Sequence, residues 1–217
     1  MPENRQPVRV ALNVMRARLT VIGFNIAIVS FQIAQLFSAT DGLQVDGMGH
    51  AVHVVADIQL FMALALSLMA LLALIMSAEM DESAVCTHWS LVVGDLLMYL
   101  ALAHTLAGFF GPLVTSIDTL AGKLPDKASQ LYIIKLAMIS GGGAGWFGAI
   151  YAGPLVSLLR SPFPRRTNIT IGIVYLLQLL LLCWITAQAV QVETATDADA
   201  PGLIFSVLRE LVQPLRW

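Results

Sequence analysis

The sequence predicts an all-α integral membrane protein, a bundle of five transmembrane helices followed by a C-terminal amphipathic helix. Three observations carry that expectation. Of 217 residues, 58% are hydrophobic and only 12% charged, about half the charged share of an ordinary soluble domain. The apolar residues fall in five long blocks separated by short polar segments, each long enough for a bilayer-spanning helix. The last seventeen residues instead place apolar residues at helical spacing, with Arg209 and Glu210 opposite. Three regions follow: a cytoplasmic N-terminal segment 1–18, a five-helix domain 19–192, and a polar linker with an amphipathic tail, 193–217.

The first block, Leu19 to Phe37, carries no charge, follows Arg16 and Arg18, and is too long for a signal-peptide core. The second is expected from about Val52 to Ala78 and ends at the acidic turn Glu79-Met80-Asp81-Glu82. The third is expected from about Thr87 to Val114, with Gly111-Pro112 as its stop, because proline disfavours continuation. A loop over Ser116 to Gln130 follows. The fourth block runs from about Leu131 to Leu159, and the fifth from Thr167 to Val190, after the basic turn that holds Arg160, Arg165 and Arg166. In the tail, Leu203, Ile204, Val207, Leu208, Leu211, Val212 and Leu215 form one face, with Arg209 and Glu210 opposite, in a stretch too short to span. It is expected to lie on a membrane surface or to pack on a neighbour.

Basic residues in the short flanks number seven on the side of the N-terminus and four on the other, which predicts a cytoplasmic N-terminus in a cell membrane of the bacterial inner-membrane kind. A formal charge of −2 and the lack of a basic stripe exclude nucleic acid as a partner. Two distant cysteines, Cys86 and Cys183, offer no CxxC. No nucleophile–base pair, P-loop or dinucleotide fingerprint occurs, so the chain is read as a non-enzyme.

Function must then be sought in the polar residues that a bilayer makes costly. Asp95 is expected eight to eleven residues into the third helix, about 12 to 16 Å deep, with Asn25 near the same level. A second layer joins Gln32, Gln35, Gln59 and His104. Asp57 and Lys135 precede charge-free blocks at equal depth, where an ion pair between helices two and four would fit. His50, His53 and Asp57, spaced i, i+3 and i+7, share a helix face and have the donor types for zinc, iron or nickel. Haem calls for two histidines level on different helices; His53 and His104 are offset by about seven residues, some 10 Å. No cofactor is favoured, with metal or haem as the alternatives.

The fourth helix holds Gly141, Gly142, Gly143, Gly145, Gly148 and Gly153. The spacings Gly141/Gly145 and Ala144/Gly148 suit close approach of another backbone, so segment 131–159 is the expected contact for a homo-oligomer or a partner membrane subunit. The leading functional expectation is an oligomeric channel or transporter for an ion or small solute that uses Asp95. The alternatives are a non-catalytic anchor or assembly subunit and a haem- or metal-binding redox subunit.

Overall fold

The computed structural model describes residues 5–36, 52–79, 88–194 and 202–217, with the side chains of 5–13 and 216 excepted. Its elements are all helical. In chain order they are α1 (Arg5–Leu36), α2 (Val54–Glu79), α3 (Ser90–Lys123), a 3₁₀ turn (Pro125–Lys127), α4 (Ala128–Phe147), a π-turn (Gly148–Ala152), α5 (Gly153–Leu159), α6 (Arg165–Glu193), α7 (Leu203–Glu210) and a final 3₁₀ turn (Gln213–Arg216). Among the described residues, five stretches are long and apolar enough to cross a membrane: Val14–Leu36, Val54–Ala78, Ser90–Lys123, Pro125–Leu159 and Arg165–Glu193.

The third stretch is the axis. α3 packs on α1, α2, α4, α5 and α6, most extensively on α2. In an apolar surround, helices associate by close packing rather than by the hydrophobic effect, so small residues gather where backbones meet. A Cβ at Gly94 would lie 2.8 Å from Leu74, and one at Gly108 would lie 2.8 Å from Leu60. Each glycine is thus a socket for one leucine of α2, and both leucines are fully buried. Gly142 and Gly153 receive Phe110 and Tyr99 of α3 in the same way. Phe24, Phe31, Phe61, Leu72, Leu177 and Leu181 point outward, as a bilayer-facing surface requires.

Several expected boundaries shift. α1 begins at Arg5, not Leu19: arginine is a good helix former, and Arg18 finds a partner inside the bundle, so the chain has no reason to break there. α3 does not stop at Pro112 but continues to Lys123. Pro112 removes one N–H, and resuming the helix satisfies the remaining backbone groups more completely than a loop in an apolar setting. The Thr115 and Ser116 hydroxyls donate back to the Gly111 and Pro112 carbonyls at 3.2 and 3.0 Å.

The fourth span contains a π-turn where the glycines cluster. Pro154 has no N–H to give to the Ile150 carbonyl four residues earlier, and widening the turn relieves the proline ring's clash. The Tyr175 hydroxyl of α6 donates to that same carbonyl at 2.6 Å, which replaces the missing backbone bond with an interhelical one.

The tail folds back on its own bundle rather than lying free. α7 packs along α6. Beyond it, the Tyr151 hydroxyl donates to the Leu211 carbonyl at 2.5 Å. Pro214 fits against Gly143, and Trp217 stacks on Phe110 with centroids 5.5 Å apart. The expected polar face of Arg209 and Glu210 divides: the Arg209 guanidinium covers the Phe205 ring, whereas Glu210 is buried with Ser206.

Candidate functional site

Polar groups inside the bundle form three levels along α3. At the first, the Arg18 guanidinium grips Asp95 with Nε 2.5 Å from Oδ1 and Nη2 2.6 Å from Oδ2. Ser157 of α5 donates to Oδ2 at 2.9 Å. Oδ2 thus accepts from both Arg18 and Ser157, while Oδ1 is in ionic contact with the guanidinium but accepts no hydrogen bond among the described residues. A charge-assisted bond of this kind is among the stronger ones, and it ties α1, α3 and α5 together. α3 begins at Ser90, where the His88 ring nitrogen accepts the Ser90 N–H at 3.3 Å. Asp95 therefore lies only about five residues, some 8 Å, into the helix, shallower than the sequence suggested.

At the far end of α3 a second pair forms. Lys135 Nζ lies 2.8 and 2.6 Å from the two carboxylate oxygens of Asp118. The expected Asp57–Lys135 pair is thereby corrected, because Lys135 finds a carboxylate on the adjacent helix that the overlong α3 carries out to meet it. Asp95 and Asp118 are separated by about 23 residues, roughly 35 Å of helix. That is close to the hydrocarbon thickness of a bilayer, about 30 Å, so the two ion pairs sit where the two rims of an apolar slab would be.

Between these pairs lies a neutral network. Asn25 Nδ2 of α1 donates to Ser67 Oγ of α2 at 2.9 Å. Nearer the Lys135 end, the Gln59 side-chain oxygen is hydrogen-bonded to His104 Nδ1, and Gln59 Nε2 donates to Thr186 Oγ1 at 3.2 Å. This triad links α2, α3 and α6 and is almost wholly buried, with Gln59 and Thr186 each 1% and His104 8% exposed. His104 Nε2 has no hydrogen-bond partner among the described residues. Toward Asn25, Leu60, Ala63, Leu100 and Ala101 are fully buried and separate the triad from the Asn25–Ser67 pair.

On its other side the triad approaches a cavity. This space, of about 440 Å³, is walled by α2, α3, α6 and the end of the tail, and contains His53, Thr115, Asp118, Thr119, Glu193 and Gln213 among its lining residues. Its lining also includes Ala56, Ala107 and Val190, which are three or four positions from Gln59, His104 and Thr186 respectively and hence one helical turn away. The Val55 N–H at the start of α2 donates to the Glu193 carboxylate, which stands close to His53 and Asp57. A carboxylate there answers both an unbonded N–H and the positive end of the helix dipole. His53 Nε2 is buried with no hydrogen-bond partner among the described residues.

Of the candidate residues, Gln59 and His104 meet as a pair, and Asn25 bonds Ser67 rather than Asp95. Gln32 and Gln35 line a separate groove between α1, α3 and α4. His50 lies outside the described residues, and among the described residues no group of three His, Cys, Asp or Glu side chains is placed to hold a metal. His53 precedes Gln59, the partner of His104, by about six residues, roughly 9 Å along α2, which separates the two imidazoles in depth. Sequence reasoning missed Arg18, Ser157, Thr186, Glu193 and Asp118 as partners. Only a knowledge of helix adjacency identifies them, although an arginine that opens a span and an aspartate that opens another are a recognisable signal.

The glycines of the fourth span divide into two sets. Gly142, Gly143 and Gly153 are filled from within the chain, while Gly141 and Gly148 face open space and Gly145 has only the Leu106 side chain near it. Models of known protein families, curated proteins and solved structures give no match to this chain.

Proposed function

We propose that this protein is a multi-pass membrane channel or transporter for a small cation or other small polar solute, which enters from the Lys135 end. One observation carries the reading: a polar cavity bearing carboxylates and an imidazole ends one helical turn from the buried Gln59–His104–Thr186 triad. Carboxylates focus cations into a low-dielectric vestibule, and an ionisable side chain such as His104 at membrane depth is a mark of solute and proton pathways. In this reading the triad and the Leu60–Leu100 layer form the closed gate, and Asp95 acts as a clamp held by Arg18 rather than as the carrier of charge. The arginine-rich end, with Arg18, Arg160, Arg165 and Arg166, faces the cytoplasm. The open Gly141–Ala144 edge of α4, outside the groove that holds Gly145 and Gly148, supports assembly with further copies or with a partner membrane subunit.

Reconstituted into liposomes, the intact chain is expected to pass monovalent cations or protons, and His104→Leu to lower that flux at least tenfold. Gln59→Glu, which keeps a hydrogen-bond acceptor toward His104 but adds charge to the gate, is expected to change ion preference. Equal flux with and without the protein, in vesicles where its folding is verified by circular dichroism, refutes the proposal.

A further inference from the structure

The groove between α1, α3 and α4 has a volume of about 1200 Å³, at or just above the upper end of the range for small-molecule sites. It adjoins the vestibule, with which it shares the lining residues Leu36, Pro112 and Ser116, but opens on a different face and has none of the vestibule's carboxylates or imidazole. Its mouth faces the bilayer-exposed surface, where Phe24, Ile28, Phe31 and Phe109 are all exposed, by 43% to 68%. None of its lining side chains is ionisable as an acid or a base in the ordinary pH range except the phenol of Tyr99, so nothing there balances a charged head group. Burying an unpaired charge in such a place costs several kcal/mol.

The polar groups of this groove are unevenly spread. Gln32, Gln35 and Ser116 line it toward the Lys135 end, whereas Phe24, Leu102, Leu106 and the bare backbone of Gly145 and Gly148 line its deeper half. Asn25 is already turned to Ser67, and Ser116 to the Pro112 carbonyl. Gln32 is different: its Oε1 is buried with no hydrogen-bond partner among the described residues. A buried acceptor in an apolar wall calls for a donor, and the donor must come from something dissolved in the membrane, since that is where the groove opens.

We propose that this groove is a binding site for an uncharged, hydroxyl-bearing lipid of long-chain or isoprenoid type. Its hydroxyl donates to Gln32 Oε1 near the Lys135 rim, and its chain lies against α4 over Gly145 and Gly148. The glycines give the chain access to the helix surface: a Cβ at Gly148 would meet no atom within 4 Å, so the space there is open to a guest. The rival occupants are a phospholipid, whose charged head lacks any partner in the lining, and a helix of a second copy drawn to the same small residues.

The test uses the full chain in lipid nanodiscs and three photoreactive probes with one common chain, ending in a hydroxyl, a carboxylate or a methyl group, together with a photoreactive phosphatidylcholine. The hydroxyl probe is expected to label α1, α3 and α4 around the groove, saturably and at least fivefold over the carboxylate and phosphatidylcholine probes. Gly148→Leu, which enters open space and leaves the unfolding temperature unchanged, is expected to cut that labelling tenfold. Gln32→Leu is expected to bring the hydroxyl probe down to the level of the methyl probe without altering the latter. Equal labelling by all probes, labelling unaffected by Gly148→Leu, or efficient disulfide formation between copies through Phe31→Cys would each overturn the proposal.

Discussion

At the scale of single residues, Asp95 shows how a costly charge is made affordable in an apolar bundle. The side chain of Asp95 is 6% exposed and that of Arg18 23%, so neither is hydrated well enough to stand alone. Removing one partner of such a pair leaves the other buried and uncompensated, at a cost of about 3 to 5 kcal/mol, whereas replacing both with apolar residues of similar size is often close to neutral. Arg18→Met and Asp95→Leu are therefore each expected to lower the unfolding midpoint in detergent sharply, and the double variant to regain most of the loss. Flux, by contrast, is expected to survive in the double variant, because the proposed pathway does not run through this pair. Loss of flux there with stability intact would return Asp95 to the transport role that its sequence position first suggested.

The sequence made Asp95 conspicuous but concealed its partner. A charge inside an apolar block is visible by inspection; a hydrogen bond between positions 18 and 95 depends on which helices are neighbours. Gln59 and His104 were legible as a pair because both were uncharged polar residues at comparable depth on consecutive, antiparallel helices. Thr186 was not, since a lone threonine in a helix more often bonds its own backbone, as Thr105 does to the Ala101 carbonyl at 3.0 Å.

Among the elements, the fourth span is where local chemistry and packing interact most closely. Pro154, the π-turn and the Tyr175 hydroxyl form one unit, in which a carbonyl released by proline is recovered by a neighbouring helix. Tyr175→Phe is expected to cost about 1 to 3 kcal/mol, the penalty of a buried acceptor without its donor. Pro154→Ala, which restores the backbone N–H, is expected to reduce that penalty in the double variant. A double-mutant cycle of unfolding free energies reads this coupling directly, and strict additivity would mean that the two features are unrelated.

Helix number and rough position followed from hydropathy alone, because a spanning helix needs only length and apolar content. The ends did not. Pro112 was expected to end α3 under the rules for helices in water, where a broken turn is solvated; inside a bundle the helix resumes. The glycines likewise signalled close packing without saying on which side. Their division yields a contrast: Gly108→Leu collides with Leu60 and is expected to lower stability by more than about 2 kcal/mol, while Gly141→Leu meets nothing within the protomer and is expected to leave its unfolding unchanged. If Gly141→Leu also dissociates an oligomer seen by size-exclusion chromatography with light scattering, the open face is the contact; if the wild type is already a monomer, it is not.

On the scale of the whole molecule, the bundle is held at two rims by ion pairs about 35 Å apart and between them by neutral hydrogen bonds and small-residue sockets. This division follows the solvent: ionic groups are tolerable where water and head groups lie, and neutral ones where hydrocarbon lies. Against that symmetrical frame the vestibule is lopsided. Its lining lies toward the Lys135 end, and the buried triad and Leu60, Ala63, Leu100 and Ala101 lie beyond it; in the proposed reading these form the closed gate.

The most direct measurement of that account is cation flux into liposomes through a variant that carries Thr115→Cys as its only cysteine, with Cys86→Ser and Cys183→Ala, before and after reaction with a positively charged thiol reagent. Thr115 lines the vestibule and is exposed, so reaction there places a fixed cation at the entrance without touching the bundle core. The account predicts that flux falls at least tenfold on modification and returns on reduction. Flux that continues unchanged through fully modified protein would contradict it, since the solute would then be crossing by a route that the vestibule does not serve.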